Sequence, residues 1–329
     1  MENAVTDRLR SVKLGEAQTY KHLTIFPLIA AADGQFQYRT LGEAIGNGDV
    51  TVTEVSAGGS VPELRLINRG NTPVLVIDGE ELAGAKQNRV LNTSILIREV
   101  SETNIPVSCT EQGRWSYVSK TFSESGNIMT HRSRSRKTRS VLRSLESSGS
   151  YSSDQGEVWG EIAELQAKAG AASPTSAMSD IYKAREEDLR QCAGSFKHVA
   201  GQVGLLALIG GFPAGLDMVS LTSAYTRLHP KLVRSYILEG LLDSNEQPAA
   251  PDSVLNEARK FLDQIASGEE REFPSIGHGT DRRFKGRGFT GAALVHEGEV
   301  IHAAFFRMEQ SQEAEPGASY GSRRRYFCE

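Results

Sequence analysis

The apolar and polar positions of the chain change rhythm twice. In the first third, short apolar or alternating runs (HLTIFPLI, DVTVTEV, ELRLI, PVLVI, VLNTSILI and IPVSC) are separated by Gly, Asn, Asp and Pro punctuation such as DG, GNG, GG and NRGN. That period and those breaks predict β-strands joined by turns. Arg69-Gly70 in NRGN predicts a hairpin between ELRLI and PVLVI. TLGEAIGNG predicts one short helix, with Thr40 as its N-cap and a glycine stop.

The middle switches to helical spacing. Residues 119 to 153 are rich in Ser and Arg and predict a mobile arm or a weak helix. Asp154 and Glu157 then have the spacing of a capping box, and Val158, Ile162, Leu165 and Ala169 fall on one face of a helix. ASPTS ends it, and a second helix is predicted from Met178 to Cys192. VGLLALIGGF is short and glycine-bounded, which predicts a buried strand. HPKLVRSYILEGLL predicts a helix with Pro230 in its first turn, and Leu255, Ala258, Leu262 and Ile265 mark another. The end returns to β: FTGAALVHEGEVIHAAFFRM holds two apolar strands around Glu297-Gly298-Glu299.

This order predicts an α+β fold: a β-rich N-terminal part, sandwich- or barrel-like, a helical middle, and a C-terminal β-hairpin returning to the sheet. No clean linker interrupts it. The expected organisation is one composite domain over 1–310, with a basic Ser/Arg-rich insertion near 119–153 and a polar tail over 311–329.

Composition narrows the class. Hydrophobic residues make up 39% and charged residues 24%, which fits a soluble protein with a real core. A net charge of −4 gives no global pull toward nucleic acid or membrane. No apolar run reaches the ~18 residues of a membrane span, and MENAVTDRLRSVKLGE has no signal-like apolar core. Cys109, Cys192 and Cys328 are far apart, odd in number and without a CxxC, so the expected compartment is reducing and cytoplasmic.

Two stretches concentrate chemistry. GEELAGAKQNRVL, residues 79–91, carries Glu80, Glu81, Lys86, Gln87, Asn88 and Arg89 directly behind a strand. Its Gly79 and Gly84 invite comparison with a phosphate-cradling P-loop, but Ala85 intervenes before Lys86 and a β-like run follows. Paired carboxylates can act as general acid and base or hold a hard cation such as Mg²⁺ or Mn²⁺, and Lys and Arg can clamp a phosphate. The same residues would also make a self-satisfied salt-bridge cluster. In IPVSCTEQGRW, strand alternation puts Val107, Cys109 and Glu111 on one face. If Val107 faces the core, Glu111 needs a buried partner, and Arg114, Lys86 and Arg89 are the candidates. Cys109 is either a nucleophile or a packed small residue.

Other signals are weaker. MTHRSRSRKTRSVLRSL, residues 129–145, has six cations and no acid, as a solvated arm or a phosphate-facing segment would, yet no interleaved aromatic for base stacking. The seven His residues show no metal spacing. GHGTDRRF is expected to be a loop.

Taken together, GEELAGAKQNRVL, IPVSCTEQGRW, QGEVWGEI and GAALVHEGEVIHAAFF resemble the ARG and rhodanese-phosphatase-superfamily-associated protein domain family, over roughly residues 14–307. The resemblance implies work near ADP-ribose, NAD or other phosphorylated nucleotides, in stress or defence. It implies a polar motif on Glu80, Glu81, Lys86, Gln87, Asn88 and Arg89, and a second on Cys109, Glu111, Arg114 and Trp115, the two forming one pocket. The expected function is a hydrolase or transferase on a phosphate-bearing, nucleotide-derived small molecule. Glu81, Glu111 or Cys109 would do the chemistry, and Glu80, Lys86, Gln87, Asn88, Arg89, Arg114 and Trp115 would bind. A divalent cation would be an optional cofactor, with no metal ligands assigned. The alternative is a non-catalytic nucleotide-sensing or protein-interaction module whose basic arm contacts an acidic protein partner; nucleic acid ranks below both.

Overall fold

The computed structural model describes residues 4–56, 58–243 and 250–308; the predicted tail lies outside them. Strands Val50–Glu54, Glu63–Asn68, Glu80–Gly84, Arg89–Leu91, Ser101–Cys109 and Phe122–Ile128 close into a barrel. Alternation fills it: Val52, Leu64, Leu66, Leu82, Leu91 and Val107 meet in one apolar cluster. The short helix Leu41–Gly46 packs into that cluster at one end. Thr40 caps this helix as expected, accepting a hydrogen bond from Glu43 N. A small sheet of Arg39–Thr40, Val74–Val76 and Ile95–Ile97 packs beside it.

The second body of β-structure is a long sheet that joins the two ends of the chain. Its order is Lys13–Leu14, Leu23–Ile29, Gln202–Ile209, Phe212–Val219, Glu299–Arg307, Phe289–His296, Thr280–Gly286 and Glu269–Pro274, with Gln18–Tyr20 also on Leu23–Ile29. The predicted C-terminal hairpin is present, with Glu297 and Gly298 at positive φ in its two-residue turn. Both faces of the sheet are covered, which is why QVGLLALI reads as a continuous apolar run. Leu205, Ala207 and Ile209 pack toward the helices Thr222–Leu242 and Gln155–Ala169. Leu206 and Leu208 pack toward Ala4–Ser11 and Pro251–Ala266. The fold is therefore α+β, with an N-terminal barrel, a helical middle and C-terminal strands that rejoin N-terminal ones. No described helix is long and apolar enough to cross a membrane.

Several expectations fail for local reasons. ELRLI and PVLVI do not form a hairpin: Glu63–Asn68 belongs to the barrel and Val74–Val76 to the small sheet. Of the two expectations for residues 119–153 the helix holds and the mobile arm does not: they contain the barrel strand Phe122–Ile128 and an 18-residue helix, His131–Ser148. The helix over Met178–Cys192 is two, Met178–Ala184 and Glu186–Ala193, broken at Arg185. Pro230 lies inside the helix Thr222–Leu242, which starts two turns earlier than predicted. GHGTDRRF runs into a strand, Thr280–Gly286, rather than remaining a loop.

Candidate functional site

The end of the barrel away from the short helix is polar. Arg89 follows the same alternation as Leu91, and Cys109 the same as Val107, so both turn inward, opposite one another in the ladder. The Arg89 guanidinium is fully buried. Its Nη1 donates to Gln87 Oε1 at 2.7 Å, but Nε and Nη2 have no hydrogen-bond partner. Burial pulls its pKa below the ordinary arginine value, yet a guanidinium stays charged in proteins. Glu54 is buried in the same mouth, with Oε1 accepting from Lys86 N at 3.3 Å and Oε2 lacking a partner.

Aromatic rings cover this mouth. Arg89 lies 5.5 Å from the Trp115 ring, and Lys86 Nζ lies 5.1 Å from Trp115 and 5.2 Å from Tyr117. Lys86 Nζ also donates to Gly58 O at 2.6 Å. A β-carbon on Gly59 would stand 3.3 Å from Lys86 Cδ and Trp115 Cζ2 and 3.4 Å from Glu54 Oε2, so these three side chains converge on one point. Trp115 and Tyr117 are half exposed.

The wall of the mouth is rigid and saturated. Glu111 is buried, as the alternation predicts, and Arg114 is its partner at 2.8 and 2.5 Å. It also accepts from Thr175 Oγ1 and Asn88 N. Burial opposes its charge, but the hydrogen bonds from Arg114, Thr175 and Asn88 outweigh burial and hold its pKa below the carboxylate norm. Arg114 further donates to Ala85 O, Ser116 O and Asn88 Oδ1. Gln155 grips the Cys109 backbone through both N–H and C=O, at 2.8 and 2.9 Å. Cys109 itself is a buried thiol outside any disulfide. Gly84, at φ +126°, is needed because a β-carbon would meet Thr121 O at 2.9 Å.

The structure thus brings Lys86, Gln87, Asn88, Arg89, Cys109, Glu111, Arg114 and Trp115 together, but not Glu80 and Glu81. Glu80 pairs with Lys231, which also holds Glu124. Glu81 accepts from Thr110 Oγ1 at 3.0 Å and Asn127 Nδ2 at 3.3 Å in an enclosed box. Burial pushes the Glu81 pKa up to about 6, against the lowering effect of its hydrogen bonds to Ser125, Asn127 and Thr110. Successive strand residues face opposite sides, so these two carboxylates do not make a shared cation site. Among the described residues, no cluster of three or more His, Cys, Asp or Glu side chains is arranged to hold a metal.

The basic run lies elsewhere, in the seam between barrel and long sheet. Arg134 is bidentate to Asp217 at 2.7 and 3.0 Å and reaches Asp78 at 3.3 Å. Lys137 pairs with Asp78, Arg132 with Glu239 and Asp243, Arg136 with Glu161 and Arg143 with Glu157. Burial raises the pKa of Asp78, but Lys137 and Arg134 more than reverse it. Tyr236 donates to Asp217, and Arg283 pairs with Asp281 nearby. Ser94 Oγ bonds His302 Nδ1 at 2.9 Å beside a cavity of about 10 Å³, the size of one water. Gly79, at φ +79°, lets the strand pass Arg134, whose Cδ would lie 2.9 Å from a β-carbon. These five cations of the run have carboxylate partners within the chain, so the segment is a packed helix rather than a free arm.

Two features of the buried charge are not predicted from the sequence. Glu54 is the first, although VTVTE puts it on the same face as Val50 and Val52, the alternation that located Glu111. The second is the pairing of Asp78 and Asp217, acids in apolar surroundings of sequence, with cations from the basic run.

A model of the ARG and Rhodanese-Phosphatase-superfamily-associated Protein domain matches residues 11–306. The chain belongs to that family. The match spans both the barrel and the long sheet, so the mouth and the seam alike are parts of the family domain. No curated protein and no solved structure matches the chain.

Proposed function

We propose that the barrel mouth binds a phosphate-bearing, nucleotide-derived small molecule and that the chain acts on it as a hydrolase or transferase. The observation that carries this reading is Arg89, a buried guanidinium with two nitrogens, Nε and Nη2, that have no hydrogen-bond partner, and no carboxylate paired to it among the described residues. Native interiors seldom leave such donors unmet, so each one calls for a completing group, whether a water, an ion or a ligand. Lys86 adds a second cation, and Trp115 and Tyr117 supply flat faces for a base. The ADP-ribose or NAD identity rests on the company that the family name records, read as ADP-ribosylglycohydrolases and rhodanese-type phosphatases. A cation such as Mg²⁺ would arrive with the phosphate rather than from Glu80 and Glu81.

A second reading is a ligand-sensing module without turnover. It draws support from Glu81 and Glu111, the expected general bases, which are both committed to internal partners.

A thermal-shift screen with ADP-ribose, NAD and common nucleotides, with and without Mg²⁺ or Mn²⁺, tests the binding. A ligand at 100 times its Kd stabilises by about 2.7 kcal/mol through mass action. The shift should appear in the wild type and vanish in Arg89→Met. No shift with any ligand, or an equal shift in the variant, would sink the proposal. Chromatography of the bound ligand after incubation then separates turnover from sensing.

A further inference from the structure

The mouth contains a second open group, and the two together say more than either alone. Glu54 Oε2 and the Arg89 Nε and Nη2 atoms are buried, unpartnered and opposite in character. A carboxylate only accepts hydrogen bonds and a guanidinium only donates them. They do not satisfy one another: no ion pair joins them among the described residues, although the Glu54 charge favours the charged form of Arg89. Whatever completes the mouth must offer an anion to Arg89 and hydrogen-bond donors to Glu54, within the span of one aromatic cover.

Beyond water, which can accept from Arg89 and donate to Glu54 at once, two ligand chemistries have both ends: a sugar phosphate, with hydroxyls beside an anion, and a zwitterionic amino acid, with an ammonium beside a carboxylate. Charge decides between them. Lys86 and Arg89 against Glu54 leave the mouth with one net positive charge, since Glu111 and Arg114 cancel. A net-neutral zwitterion would leave that charge unanswered, whereas a phosphate ester, with at least one negative charge, neutralises it. The Glu54 carboxylate is also preset: Lys86 N pins Oε1, which holds Oε2 toward Trp115 and Gly59.

We infer that the mouth recognises a ribose-phosphate unit, with the phosphate on Arg89 and Lys86 and vicinal ribose hydroxyls donating to Glu54. This rests on the binding reading above and narrows it: the sugar hydroxyls, not the base, set selectivity. A site built around a buried acceptor penalises a ligand that lacks the donor, because the acceptor is then left dry and unpaired.

Isothermal titration on the full chain tests this with adenosine 5′-monophosphate, its 2′,3′-dideoxy analogue, ribose 5-phosphate, inorganic phosphate and glycine. The wild type should bind the two ribose phosphates roughly tenfold or more tighter than the dideoxy analogue or inorganic phosphate. Glu54→Leu should erase that preference while keeping the weaker phosphate affinity, and Arg89→Met should lose both. Equal affinity for the ribo and dideoxy ligands in the wild type overturns this inference and leaves the binding reading standing. Glycine binding without phosphate-ester binding, or no binding at all, overturns both. Should Glu54→Leu fail to fold, the ribo-to-dideoxy ratio in the wild type still decides.

Discussion

The barrel mouth and the seam are both buried, both rich in charge and built from neighbouring stretches of chain, yet they are opposites. In the seam, Arg134 has two carboxylates, Asp78 has two cations, and Asp217 takes Arg134 and Tyr236 together. In the mouth, Arg89 has one amide oxygen and Glu54 one backbone N–H, with the remaining atoms open. Buried charge alone does not mark a site. Saturated charge holds elements together; the charge of the mouth has no such role among its described partners. The density of charge in GEELAGAKQNRVL and in the basic run looks the same in one dimension; the seam's charged side chains meet counter-charges, with only the neutral His302 Nε2 open beside them, whereas Arg89 and Glu54 form no ion pair among the described residues.

The largest effect should come from the seam. Arg134→Met leaves Asp78 and Asp217 buried with less compensation, and removing one partner of such a group typically costs about 3–5 kcal/mol. A urea titration should show the midpoint collapse, or the variant should fail to fold. A loss under about 1 kcal/mol would mean that the seam is not a clamp.

The next effect depends on pH. The Glu81 carboxyl titrates at about 6 in the folded chain against an ordinary value near 4.3. Its favourable contribution is complete below the unfolded pKa and lost as pH rises through about 6. Glu81→Gln should therefore gain about 2 kcal/mol on the wild type at pH 7.5 and little at pH 4. Chemical denaturation at both pH values checks this; a gap independent of pH would contradict it.

Smaller effects sharpen the contrast. Trp115→Ala removes the ring over Lys86 and Arg89 and should cost about 0.5–1 kcal/mol in thermal unfolding. Arg143→Ala, on the same helix as Arg134, breaks an exposed pair with Glu157 and should cost under about 0.5 kcal/mol. A cost for Arg143→Ala near that of Arg134→Met would show that burial does not set the scale.

Periodicity made much of the fold legible. The barrel strands, the capped helix at Thr40, the helix behind Asp154 and the final hairpin all follow from local rules. Partner choice was not legible. NRGN has the composition of a turn, but nothing local says that the strands around it join different sheets. The basic run looked solvated because its acids, Asp78, Glu161, Asp217 and Glu239, come from distant segments. At the site, alternation was enough to bury Glu111, and the same rule applied to VTVTE would have found Glu54. Glu80 and Glu81 looked like a pair because adjacency in sequence hides that they face opposite sides.

The most direct test compares Arg89→Met with the wild type in urea, without ligand. If the mouth is unsaturated, an apolar side chain of similar reach removes an unmet buried charge, and stability should hold or rise by about 1 kcal/mol or more. A loss of about 3 kcal/mol or more, like that expected for Arg134→Met, would contradict the account and make the mouth one more structural clamp.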